Sequence, residues 1–245
     1  MSEAYVGVDW GSDGWVAVAF DAGGFDHARV FEEVGELWTR YEDVATRILI
    51  DVPIGLIEDG SGGRKCDSLA RDVLGPRSVS VFTPPVREAT RKRRYPAAKR
   101  VNERKADTGL SKQAFAISDS IAAVDDLLRN VPEARAIFRE SHPEVCFRAF
   151  AGEPLEYSKK TAAGYAERMR ALATFDTEAP PIVQAPAEAT GGTDVAVDDV
   201  LDAVALAYTA APGPGSLYSL PPDPPTDPKG LPMEICYRAS EPLVE

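Results

Sequence analysis

The first 56 residues constrain the fold more tightly than any other stretch of the chain. "YVGVDWG" (5–11) is a short apolar run ending in Asp9, and Gly11 and Gly14 turn the chain into a second run, "WVAVAF" (15–20). "DAGG" (21–24) is a turn signal, and "HARVFEE" (27–33) reads as a third strand. Residues 34–44 place Val34, Leu37, Trp38 and Tyr41 at helical spacing. "RILIDVPIGL" (47–56) is a buried strand that Pro53 and Gly55 end just beyond Asp51. Three consecutive strands pair antiparallel, and a fourth that returns through a helix lies parallel to the first. This order predicts an α/β protein with a mixed sheet. It puts Asp9 and Asp51 at the same end of neighbouring strands, where ligand sites of such sheets lie.

The rest of the chain is less regular. Residues 57–110 are rich in Gly, Pro and Arg. Residues 111–130 read as one helix with Ser111 as N-cap, and "ARAIFRES" (134–141) as a strand. In "HPEVCFRAF" (142–150) Pro143 suits the first turn of a helix. Residues 158–175 read as helical, while "APPIVQAP" (179–186) is either loop or short strand. A Pro-rich tail begins near residue 212, and "MEICYR" (233–238) suits a final edge strand. No repeat or linker divides the 245 residues, which predicts one domain with an insertion at about 57–133.

Composition narrows the setting. No apolar run approaches the roughly 18 residues of a membrane span, and the N-terminus lacks the pattern of a signal peptide. The three cysteines, Cys66, Cys146 and Cys236, show no paired spacing. The expectation is a cytoplasmic, reduced protein with no membrane association. A net charge of −12 argues against a broadly basic surface. One segment runs the other way: Arg87 to Lys105 holds nine Lys or Arg and two Glu. It is either a phosphate contact, through Arg87, Arg91, Arg93 and Arg94, or a solvated face.

The run "DDVLDAVALAYTAA" (198–211) poses the sharpest chemical question. It is apolar from Val200 onward, yet it contains Asp202. On a helix Asp198, Asp199 and Asp202 fall within an arc of roughly 100°. Asp198 as N-cap and Asp199 in the first turn have a ready structural explanation. Asp202 fits it poorly, because a carboxylate among buried apolar neighbours costs several kcal/mol unless it is paired or bound to a cation. It therefore either faces a metal ion or is hydrogen-bonded within the fold. With Asp9 and Asp51 it makes a candidate site for Mg²⁺ or Mn²⁺, hard cations that take a few carboxylates and keep positions open for water and phosphate.

These residues also carry a resemblance. "GVDWGSDGWV", "IDVPIGL", "RKCDSLARDVLGPRSVSVFTPPVR", "GLSKQAFAI", "ESHPEVCFRAFAG", "SKKTAAGYAERM" and "DDVLDAVALAYTA" together resemble domain of unknown function 429, over about residues 5–211. That family is described as predicted nucleases. The resemblance implies a ribonuclease H-like mixed five-stranded sheet with flanking helices and a large insertion after the fourth strand. It also implies a metal-dependent nuclease that hydrolyses phosphodiesters by a two-metal mechanism. "DDVLDAVALA" is similar to the final helix of RuvC-type resolvases. Carried over, Asp9 is the first-strand acid, Asp51 the fourth-strand acid, and Asp199 with Asp202 the helix pair; all four would bind metal. Resolvases carry Glu where this chain has the shorter Asp51.

"ESHPEV" adds Glu140, His142 and Glu144, which are either general-base groups beside the metal or a helix cap and satisfied structural residues. Arg64 and Arg71, spaced with Asp67 as on a helix, together with Arg77 and Arg87, either meet phosphates or form surface ion pairs. Nucleic acid is thus a possible partner. Two other functions suit the same pattern. "GVDWGSDG" and "ATGGTD" resemble the phosphate loops of an ATP-dependent kinase of the actin and hexokinase type, and a non-catalytic adaptor could keep the fold.

Overall fold

The computed structural model describes residues 3–11 and 14–244. Five strands form the main sheet: β1 (Ala4–Gly11), β2 (Gly14–Asp21), β3 (Gly24–Phe31), β4 (Ala45–Ile50) and β5 (Phe138–Glu140), in the order β3-β2-β1-β4-β5. β1, β2 and β3 are antiparallel neighbours, whereas β4 and β5 run parallel to β1. The mixed sheet is the one expected, and it is compatible with a ribonuclease H-like arrangement. β3 begins earlier than the sequence suggested, and β4 stops at Ile50, because Pro53 has no N–H to continue the ladder. The turn between Gly11 and Gly14 lies outside the described residues.

Helix α1 (Val34–Tyr41) makes the crossover from β3 to β4. The insertion between β4 and β5 carries α2 (Lys65–Leu74), α3 (Arg87–Thr90), α4 (Tyr95–Ala106), α5 (Lys112–Ala116), α6 (Ser118–Asn130) and α7 (Pro132–Ile137). The single helix expected over 111–130 is thus two, broken at Ile117, although Ser111 does accept from Ala114 N at 3.0 Å. The strand expected over 134–141 is three residues long; Pro132 opens a helical turn that claims the rest. After β5 come α8 (Pro143–Ala151), α9 (Ala162–Phe175), α10 (Ala179–Ala189) and α11 (Val197–Ala210). α10 replaces the loop or strand of "APPIVQAP": Pro180 and Pro181 at its start withdraw only N–H groups that have no partner there, and Pro186 lies inside the helix at the loss of one bond. The tail folds back as the hairpin β6 (Ser216–Leu220) and β7 (Ile235–Ala239), bridged to the main sheet at Ser141 and Cys236.

Strand periodicity sorts the core. Val16, Val18 and Phe20 face α8, α9, α10 and α11, while Ala17, Ala19, Val6, Val8, Ile48 and Ile50 face α1, α6 and α7. α11 lies directly on β1. A Cβ on Gly7 would stand 2.2 Å from both Ala203 O and Ala207 N, so only glycine lets the helix approach this closely. Every residue from Val200 to Ala210 is buried. At the helix end the Arg47 guanidinium donates to Ala210 O at 2.7 Å, a cation where the dipole favours one. No helix among the described residues is long and apolar enough to cross a membrane.

Candidate metal centre

Two adjacent parallel strands deliver the first acids. Val8 pairs with Ile50, and Asp51 N donates to Val8 O at 2.9 Å. Asp9 and Asp51 therefore leave the sheet side by side at its carboxyl edge. α11, docked on Gly7, brings Asp199 and Asp202 to the same edge; a Cβ on Gly11 would be 2.7 Å from Asp199 Oδ2. All four line one cavity of about 380 Å³, together with Glu140, His142 and Glu144 from the β5–α8 corner. The N-cap of α11 is Ala196 and not Asp198, so Asp198 and Asp199 sit in the first turn and Asp202 in the buried second.

The electrostatics are those of crowded acids. Burial, then repulsion from Asp202 and Asp51, raises the Asp9 carboxyl well above its ordinary range. Asp202 is pushed up to about 7 by burial, with Asp51 and Glu144 adding to it and Lys159 opposing it. Asp51 and Asp199 are raised as well, again chiefly by burial. The opposing charge is Lys159, whose Nζ lies 2.5 Å from Asp202 Oδ2 and 3.7 Å from Asp198 Oδ2.

The "ESHPEV" residues divide by role. Glu140 is buried and held by both terminal nitrogens of Arg64 at 2.7 Å, and it accepts from Ile54 N at 2.6 Å. It fixes the turn beyond β4. His142 is the N-cap of α8, with Nδ1 accepting from Glu144 N at 3.2 Å and Nε2 facing Ser80 O at 3.4 Å. Its ring is occupied as a cap. Glu144 Oε1 takes a hydrogen bond from the fully buried Arg168, whereas its buried Oε2 has no hydrogen-bond partner among the described residues.

The arginines largely leave the site. Arg64 lines the cavity, but Asp67, Glu140 and Ile54 O engage its guanidinium. Arg71 donates to Val81 O and Thr83 Oγ1, both at 2.9 Å. Arg77 lines the cavity and lies 3.9 Å from Glu144. Arg87 is buried among Asp125, Asp227 and Glu58, which removes it from any phosphate contact. Arg91 pairs with Asp125 and Asp126 at 2.6 Å. Only Arg93, Arg94 and Arg100 of the basic segment carry no ion pair among the described residues. None of Arg71, Arg87, Arg91, Arg93 and Arg94 lines the cavity among those residues. Gly191 and Gly192 of "ATGGTD" do not line it either.

Lys159, Lys160 and Trp10 line the cavity without having been singled out in the sequence. The family-like run "SKKTAAGYAERM" was the one available signal. The expected helix over 158–175 in fact begins at Ala162, which leaves Ser158, Lys159 and Lys160 in the preceding loop.

The family comparison is decisive. The family model described as "Protein of unknown function (DUF429)" matches residues 7–226. The chain belongs to this family. No curated protein and no solved structure matches it. For this family member, the residues present fit a hard divalent cation: oxygen donors converge from two strands and a helix, and Glu144 Oε2 is left without a partner in the same cavity. No group of three or more His, Cys, Asp or Glu among the described residues stands ready as a cage, and Asp202 closes onto Lys159 instead.

Proposed function

We propose that this DUF429 protein hydrolyses a phosphodiester in a reaction that depends on Mg²⁺ or Mn²⁺. The observation that carries the reading is the convergence of Asp9, Asp51 and Asp202, from three separate elements, on one cavity where burial and mutual repulsion raise their pKa values. Asp9 and Asp51 would hold the cation, with Asp199 at the rim. Bound there, the ion would polarise the phosphate and lower the pKa of a water, so that no side-chain nucleophile is needed. Lys159 offers a fixed positive charge to a phosphate oxygen. The buried Cys66, Cys146 and Cys236 suit a reducing cytoplasm.

The basic segment has less to give a nucleic acid than its composition promises. Arg93, Arg94 and Arg100 are the charges left for a phosphate backbone, so neutralising Arg93 and Arg94 should flatten the salt dependence of binding by about 2 in log–log slope. A panel of DNA, RNA and branched junctions incubated with Mn²⁺ is the direct test. Cleavage should appear with Mn²⁺, stop with chelator and be absent in Asp9→Asn. Unchanged cleavage in Asp9→Asn, or none across the panel, would remove this reading.

A further inference from the structure

Lys159 is held too firmly to be an ordinary surface lysine. The Glu167 carboxylate accepts from Glu156 N at 2.8 Å and Tyr157 N at 3.0 Å. Arg168 donates to Tyr157 O at 3.1 Å and Gly164 O at 2.9 Å. On the other side Thr161 Oγ1 donates to Ser158 O at 2.8 Å and accepts from Gly164 N at 3.1 Å. The Ser158 carbonyl packs so close to Gly164 that a Cβ there would be 1.9 Å away. The main chain flanking Lys159 is thus clamped to the first turns of α9. Arg168 ties α9 in turn to Glu144 in the cavity wall.

The ammonium so delivered meets only part of the acid group. It bonds Asp202, while the Asp9 and Asp51 carboxylates accept no hydrogen bond among the described residues. We propose that Lys159 is the resident cation of the site, standing in for one of two divalent ions, so that the cavity takes up a single divalent cation at Asp9 and Asp51. The inference rests on the metal-dependent reading above and sets the charge count of that same site. A second dication at Asp202 would have to displace an ammonium that is already bonded there and anchored through its backbone.

The test counts ions in the full chain and needs no substrate. Mn²⁺ is titrated into wild type, Lys159→Met and Lys159→Arg, with free Mn²⁺ followed by electron paramagnetic resonance. Wild type and Lys159→Arg should bind one ion per chain. Lys159→Met should bind two, or bind the first at least 10-fold more tightly. Its metal-free melting temperature should fall and recover with Mn²⁺. Two ions in wild type, or unchanged number and affinity in Lys159→Met, would overturn the proposal alone. No binding in any of the three would overturn it together with the metal-dependent reading. Should Lys159→Met fail to fold, the counts for wild type and Lys159→Arg still decide.

Discussion

Two buried groups of acids in this molecule differ in one respect. Around Arg87, the carboxylates of Asp125 and Asp227 each meet a guanidinium, and Asp227 also accepts from Leu56 N at 2.9 Å and Leu231 N at 3.0 Å. Around the cavity, Asp202 is bonded by the Lys159 ammonium, whereas Asp9 and Asp51 have no ion pair among the described residues. Asp227 and Asp9 are almost equally buried, at 4% and 5% exposure. Yet their carboxyls move in opposite directions. Burial would raise Asp227, but hydrogen bonds from Leu231 and Leu56 and the charge of Arg87 bring it below its ordinary value. Burial raises Asp9, and its neighbours raise it further. Burial alone therefore does not distinguish an acid that holds the fold from one that awaits a ligand; the partners do.

The largest effect should come from the matched network. Arg87→Met leaves Asp227 buried without its guanidinium and Asp125 relying on that of Arg91, a loss of about 3–5 kcal/mol. The melting temperature should drop by about 10 °C, read by calorimetry. A drop below about 3 °C would break the comparison at its stronger end.

The pH response of metal-free protein comes next. In the folded chain the cavity acids have raised pKa values, to about 7 for Asp202, so folded protein binds more protons than unfolded protein between about pH 4 and 7. Stability should therefore be lost as pH rises through that window, with melting about 5 °C higher at pH 5.5 than at pH 8. Asp227 acts the other way: its stabilisation is present above the ordinary carboxylate pKa and is lost only as pH falls through its lower folded value. A flat or rising melting curve from pH 5.5 to 8 would show that the cavity acids are matched after all.

A smaller gain should follow Asp9→Asn. Removing one like charge should leave the metal-free melting temperature unchanged or raise it by about 3 °C. A fall of that size would move Asp9 to the structural class. The smallest effect belongs to Glu88→Gln, which disturbs only partly exposed surface pairs to Lys92, Arg104 and Lys105 and should shift melting by no more than about 1 °C.

What could be read from the sequence follows the range of the forces involved. The strands, the crossover helix and the acids at their ends are written in local periodicity, so Asp9, Asp51 and Asp202 could be named together. Arg87 could not be placed, because its partners Asp125 and Asp227 lie 38 and 140 residues away and no local pattern joins them. A cluster of nine cations looked like a surface, although several are ion-paired within the fold. Lys159 was hidden for a different reason. Its run has helical composition, and the Thr161 cap and the Gly164–Ser158 contact together start the helix later and leave the lysine to turn inward. α10 was obscured by its own prolines, which are read as breakers; Pro180 and Pro181 fall in the first turn, and Pro186 is carried inside the helix.

Gly7 has a consequence for how such a chain can drift. The strand that carries Asp9 and the helix that carries Asp202 touch main chain to main chain there, with no side chain between them. The spacing of the acids is thus inherited from two backbones and not from the packing of the core around them. Core side chains on either face of the sheet can exchange over generations without retuning the cavity. A lineage that replaced this one glycine would have to lift α11 off the sheet, and would lose the register of its acids in a single step.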